Sequence, residues 1–209
     1  MTENGFITGQ ELLNAIENQT ASSDGKFQKR DFVSPLLNYC LDGNYSARIG
    51  MVYGLRSTGK TVGMLQAAEE LIKRGHKVAY ALYDYDGAAM SEANRQMLSL
   101  VKDGYKFFFI DEASYLSGFL NQSANWADTF MPVNKIKIVI TGADNFLLNA
   151  AQMTSLFHRY VEFSSNWNSF SEFKSITGKS FAEYKRTGGI FTDESMPKFI
   201  RSAIVDNLI

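Results

Sequence analysis

Gly54-Leu55-Arg56-Ser57-Thr58-Gly59-Lys60-Thr61 carries the spacing G-x-x-x-x-G-K-T. These residue types at this spacing suit one chemistry, the capture of a nucleoside triphosphate together with magnesium. The two glycines let the backbone curl so that its N–H groups face phosphates. Contacts to nucleotide are therefore expected from Gly54, Leu55, Arg56, Ser57, Thr58, Gly59, Lys60, Thr61 and Val62. Lys60 can reach the β- and γ-phosphates, and the Thr61 hydroxyl can bind the metal. Arg56 can touch phosphate or a partner, or point into solvent. The loop must also open a helix, because a helix N-terminus adds free N–H groups and its dipole.

A second element completes that chemistry. Lys106-Phe107-Phe108-Phe109-Ile110-Asp111-Glu112 is an apolar run followed by two carboxylates. A buried strand of this kind would carry Asp111 to its carboxyl end as the magnesium-side carboxylate. Glu112 would then polarise the water that attacks the γ-phosphate, or else cap a helix starting at Ala113. Thr141 ends another apolar run, Ile138-Val139-Ile140, and can sense the γ-phosphate or position water. It can equally belong to a helix N-terminal turn capped by Asp144. Arg159 precedes the last strand candidate. Its guanidinium can stabilise transition-state charge, in its own subunit or a neighbour's, or form an ordinary surface ion pair. Asp84 and Asp86 read as a solvated turn.

The elements that must position these residues follow from apolar periodicity. The run before the loop, 47–53, is of strand type. After it, Met64, Leu65, Ala68, Leu71 and Ile72 recur at helical spacing, with Lys73 and Arg74 in the last turn and Gly75 ending it. Strands are expected at 48–53, 77–83, 106–110, 136–140 and 159–163, with helices near 60–74, 88–102, 121–130 and 144–156. This alternation predicts an α/β fold, a mostly parallel five-stranded sheet covered on both faces. Ligands then bind at the carboxyl ends of the strands. Thr8 is expected to cap an N-terminal helix through Leu12, Leu13 and Ile16. Asn18–Lys26 reads as a polar loop. Asp31 is expected to cap a second helix through Leu36, Leu37, Tyr39 and Leu41. Beyond the sheet, 169–176, 181–186 and 197–208 read as short helices. The organisation is thus an N-terminal helical segment (1–45), a P-loop core (46–163) and a C-terminal helical extension (164–209).

Bulk properties narrow the function. The 209 residues are 45% hydrophobic, enough for one domain with a substantial core, and the net charge of −1 offers no reason to expect nucleic acid. Cys40 is the single cysteine, which excludes an internal disulfide and suits a small buried hydrophobe. No signal-peptide pattern opens the chain and no apolar run approaches membrane-spanning length. A soluble, cytoplasmic protein is expected. His76 and His158 have no metal-ligand spacing. Phe163 to Phe173 reads as core packing, because no basic residues interleave with its aromatics.

The residues also resemble a known group, the AAA+-superfamily (STAND-like) P-loop ATPases of bacteria and archaea, in which an ATPase core precedes a C-terminal domain. The resemblance covers roughly residues 30–209. It rests on Ile110-Asp111-Glu112 as Walker B, on Thr141-Gly142-Ala143 leading into Phe146, Leu147 and Leu148, and on His158-Arg159-Tyr160. It rests further on Ser169-Phe170-Ser171-Glu172-Phe173, Phe181-Ala182-Glu183-Tyr184 and Gly188-Gly189-Ile190. His158 stands where the group has glycine, and its usual proline before Ser169 is missing. The resemblance implies strand order 5-1-4-3-2, Thr141 as sensor and Arg159 as a phosphate-side arginine. It implies ATP as the nucleotide and a second domain beyond this chain, or a protein partner in its place.

The expected activity is binding of Mg-ATP and slow hydrolysis of its β-γ bond to ADP, with oligomerisation possible and a conformational switch as the use. The alternative is a nucleotide-dependent switch that does not hydrolyse. A small-molecule kinase is disfavoured because Ala113 to Thr129 contains no Lys or Arg, and a DNA-translocating motor because no basic stripe is present. Phe32 or Arg30 can stack on adenine by analogy.

Overall fold

A computed structural model describes residues 5–22, 25–26, 28–44, 48–54, 58–83, 89–142, 156–165 and 168–187. Five strands form one wholly parallel sheet: β1 (Ile49–Tyr53), β2 (Val78–Leu82), β3 (Phe107–Asp111), β4 (Lys137–Thr141) and β5 (Tyr160–Ser164). Their spatial order is β2-β3-β4-β1-β5, the expected 5-1-4-3-2 read from the other edge. Each strand falls within a residue or two of its apolar run.

Alternation along the strands explains why both faces are covered. Phe108, Ile110, Ile138, Ile140, Ile49 and Met51 point to one face, where they pack with Met90, Ala93, Met97, Trp126 and Met131. Phe107, Phe109, Val139, Val52 and Phe163 point to the other, with Leu12, Ile16, Leu36, Met64 and Leu71. The first face is therefore roofed by α4 (Met90–Lys102) and the segment 119–134. The second is roofed by α1 (Gly9–Thr20), α2 (Val33–Leu41) and α3 (Lys60–Lys73). This is the three-layer arrangement that the strand and helix alternation predicts.

The edges are handled separately. Ile7 exchanges main-chain hydrogen bonds with Tyr80 at 2.8 and 3.1 Å, so the chain start covers the open side of β2. Residues 21–22 and 25–26 pair as a very short antiparallel hairpin inside the segment expected to be loop.

Some boundaries differ from the sequence reading, for identifiable reasons. Thr8 holds the extended N-cap backbone of α1 but makes no side-chain cap bond. Asp31 does not cap α2. That helix begins at Val33 after a Phe32 already in right-handed helical geometry, and the Asp31 N–H is taken by Glu172 at 3.0 Å. The helix expected at 121–130 is three pieces: α5 (Phe119–Asn125), a π-helical turn (Trp126–Phe130) and α6 (Met131–Asn134). Pro132 has no N–H and crowds the carbonyl four residues back, that of Asp128, so the ladder widens there. The chain continues through α7 (Phe170–Thr177) and α8 (Phe181–Thr187). The helices expected at 144–156 and 197–208 lie outside the described residues, as do Asp84, Asp86 and Asp144. No helix among the described residues is long and apolar enough to cross a membrane.

Cys40 lies in the α2 core, 3% exposed, and burial pushes its thiol up to about 12. Because the thiolate is the reactive species, the native protein should not react with a thiol reagent at pH 8 and should react once unfolded. Reagent titration with and without denaturant checks this and supplies a probe of folding.

Candidate functional site

The parallel sheet sends the carboxyl ends of β1, β3 and β4 to the same edge. Register places Val52 of β1 beside Thr141 of β4, and Ile110 of β3 beside Ile140. Gly54, Asp111 and Thr141 are thereby gathered from positions far apart in the chain.

Gly54 leaves β1 with φ +146°, and a Cβ there would lie 2.5 Å from the Ser165 carbonyl oxygen. Only glycine fits that turn. Gly59 takes φ +81° immediately before α3. Lys60, Thr61 and Val62 then form the first turn of that helix. Lys60 is buried, and its ammonium donates to the Gly54 carbonyl at 2.5 Å. Leu55, Arg56 and Ser57 lie outside the described residues.

The Asp111 carboxylate is 1% exposed. It accepts a hydrogen bond from Tyr80 Oη at 2.9 Å and another from Thr141 Oγ1. Burial, and then the negative charge of Asp111, push the Tyr80 phenol well above its usual range, so it stays a donor. Glu112 follows with φ +55°, ψ +44°, a left-handed geometry that costs a non-glycine residue energy and concentrates at functional sites. Its N–H donates to Thr141 Oγ1 at 3.0 Å, and its side chain does not cap the 3₁₀ turn that follows. One threonine hydroxyl thus links both carboxylate-bearing residues. It gives its proton to Asp111 and accepts from the main chain of Glu112.

Arg159 is not brought to this cluster. It precedes β5, and its main-chain carbonyl accepts a hydrogen bond from the Ile49 N–H, at the amino end of β1. The five paired rungs from Ile49 to Tyr53 separate it from the loop, roughly 16 Å at strand spacing. Its Nε donates to Asp128 Oδ1 at 2.7 Å in a half-exposed ion pair.

The roles of four residues were not among those expected from the sequence. Ser165 Oγ donates to the Thr58 carbonyl at 3.0 Å and lies 2.7 Å from Thr58 Oγ1. Arg30 also donates to the Thr58 carbonyl, and its Nε meets Glu172 Oε1 at 2.5 Å. Tyr80 is the fourth. Their sequence signals are faint, because each acts across the fold rather than along the chain. Neither Arg30 nor Phe32 presents an open face for stacking: both are buried, and the Phe32 ring lies over Gly63 of α3. A Cβ at Gly63 would fall 2.2 Å from that ring. Gly63→Val should therefore destabilise the protein by about 2–3 kcal/mol through overpacking, read as a lowered midpoint of thermal unfolding.

A glycine-bent loop opening α3, with β4 inserted between β1 and the Asp111-bearing β3, defines a P-loop nucleotide-binding protein of the additional-strand class. The chain belongs to the AAA domain family, whose model matches residues 46–174, and this makes it an AAA+ P-loop ATPase domain. An uncharacterised protein of Haemophilus influenzae is 26% identical over 183 residues, covering 77% of this chain. The chain spans 45% of the length of that relative. Among solved structures, Saccharomyces cerevisiae Hsp104 in its casein complex superposes with a TM-score of 0.56 at 12% identity, over 88% of this chain and 34% of Hsp104. Caenorhabditis elegans PCH-2 gives 0.56 at 15%, over 100% of this chain and 60% of PCH-2. Aeropyrum pernix ORC1 in complex with DNA gives 0.51 at 15%, over 84% and 53%. At these identities the likeness is one of fold.

Proposed function

We propose that the chain binds Mg-ATP in the 54–62 loop and slowly hydrolyses its β-γ bond, using the cycle as a conformational switch. The observation that carries this is the convergence at one sheet edge of Lys60, Asp111, Thr141 and the strained Glu112 turn.

Lys60 exchanges the Gly54 carbonyl for phosphate oxygens and neutralises their charge. The N–H groups of the loop and of the first turn of α3 cradle the phosphates. Thr61 and Asp111 supply a hydroxyl and a carboxylate, all-oxygen donors that fit a hard cation taking its other ligands from phosphate and water. Magnesium bound there supplies charge stabilisation on the phosphate oxygens. Glu112 orients and deprotonates the attacking water. Thr141 holds the Glu112 main chain, and so sets where that carboxylate starts.

Arg159 stands too far away to act within its own chain and can supply charge only to a site on another copy. That distance also favours a second reading, a nucleotide switch that turns over little when alone. The segment beyond the sheet, or a partner bound to it, is the recipient of the switch. The cytoplasm is the proposed compartment.

Phosphate release from Mg-ATP, measured beside equilibrium binding of the same nucleotide, tests both readings. Turnover that disappears on chelating magnesium supports the hydrolase. Tight binding without turnover at any protein concentration supports the switch. Absence of binding would overturn both.

A further inference from the structure

Two helices near the end of the described chain begin with the same spelling, Ser-x-x-Glu. Ser180-x-x-Glu183 behaves as a capping box: Glu183 Oε2 accepts from the Ser180 N–H at 2.8 Å, and the Glu183 N–H reaches back to Ser180 Oγ at 3.4 Å. Ser169-x-x-Glu172 does only half of this. The Glu172 N–H donates to Ser169 Oγ at 3.1 Å, but the Glu172 carboxylate turns away from its own helix. It is buried at 8% exposure against Arg30, itself 5% exposed, and also takes the Asp31 N–H. An available local cap is thus given up for a buried ion pair with a residue 142 positions away.

Arg30 uses its other arm on the phosphate-binding loop. Nη1 donates to the Thr58 carbonyl, and a Cβ on Gly59 would lie 3.4 Å from the same nitrogen. Ser165 holds that carbonyl from a second side. In a planar trans peptide the C=O and the following N–H point in opposite directions. Fixing the Thr58 carbonyl therefore fixes the direction of the Gly59 N–H, one of the donors of the cradle.

We infer that Arg30 and Glu172 are positioning residues of the nucleotide site, aiming the Thr58–Gly59 peptide, and that docking of α7 is thereby coupled to nucleotide binding. This rests on the proposed nucleotide binding at the same loop. Arginine is needed because its planar fork can serve a carboxylate and a carbonyl at once, which a lysine ammonium does less well. Coupling of this kind is reciprocal, so whatever strengthens α7 docking strengthens nucleotide binding by the same factor.

The test uses the full chain and a fluorescent ATP analogue with magnesium. Arg30→Lys retains a cation for Glu172 and loses the fork. Arg30→Met/Glu172→Met replaces the buried pair with apolar groups of similar length, a change that commonly preserves folding; thermal unfolding confirms it. Both variants should bind nucleotide about tenfold more weakly. In the wild type, ATP should slow amide exchange across residues 170–177, and this slowing should vanish in both variants. Folded variants that bind like the wild type, or α7 exchange that ignores ATP in the wild type, would overturn the inference and leave the proposed function standing. A wild type that binds no ATP would overturn both.

Discussion

Glu112→Gln should lower the rate of phosphate release from Mg-ATP by roughly 10²–10⁴-fold, the usual contribution of a positioned general base, while ATP binding stays within a few-fold of wild type. The separation follows from where the residue sits. The main chain of Glu112 is held in its left-handed turn by the bond from its N–H to Thr141, and an amide side chain of the same size leaves that bond intact. In the proposed function phosphate capture belongs to Lys60 and the loop N–H groups, which the substitution does not touch. What is lost is a group able to take a proton from water. Single-turnover phosphate release and equilibrium nucleotide binding, measured on the same preparations, distinguish the two effects. Equal turnover in both proteins would remove Glu112 from the chemistry. Loss of binding together with turnover would mean that the carboxylate supports the loop instead.

How far the site could be read in advance depended on whether its parts act locally. The loop, its strand and its helix are contiguous, and the glycines announce the geometry they must adopt; Gly54 and Gly59 do take positive φ. The four-residue apolar run before Asp111 likewise fixes its own depth, because a strand buried on both faces has no polar positions to spare. Arg159 shows the limit from the other side. A residue that precedes a strand of a parallel sheet lies at the amino edge, while the loop that follows β1 lies at the carboxyl edge. Its distance from the phosphate site was therefore implicit in the topology, though not in its motif. The support of the site is different again. Ser165 and Thr58 are 107 positions apart, and Arg30 and Glu172 are 142. Nothing in local periodicity or composition links such pairs, and Glu172 enters the sequence analysis only as part of a motif. Tyr80 lies inside the strand expected at 77–83, and only the pairing of β2 with β3 puts its hydroxyl on Asp111.

That last contact leads to the largest expected effect on stability. Asp111→Ala should cost about 2–6 kcal/mol, because it leaves two buried hydroxyls without their acceptor at about 1–3 kcal/mol each. Against a typical total of about 5–15 kcal/mol, this is a large share. The two hydroxyls are not equivalent. Thr141 still accepts from the Glu112 N–H after the change, whereas the Tyr80 hydroxyl, buried on the β2 strand, loses the acceptor that the structure gives it. Removing that hydroxyl as well should recover part of the loss, so Asp111→Ala/Tyr80→Phe is expected to be about 1–2 kcal/mol more stable than Asp111→Ala alone. In the wild-type background Tyr80→Phe should instead destabilise, since it deprives a buried carboxylate of one of its donors. Denaturant unfolding of the four proteins closes a double-mutant cycle, and additive costs would contradict the hydrogen bond. Nucleotide binding separates the structural from the chemical role. The double variant regains stability but not the carboxylate, so its magnesium-dependent gain in ATP affinity should remain lost. A double variant that recovered both would place the cation elsewhere and leave Asp111 as a purely structural partner of Tyr80 and Thr141.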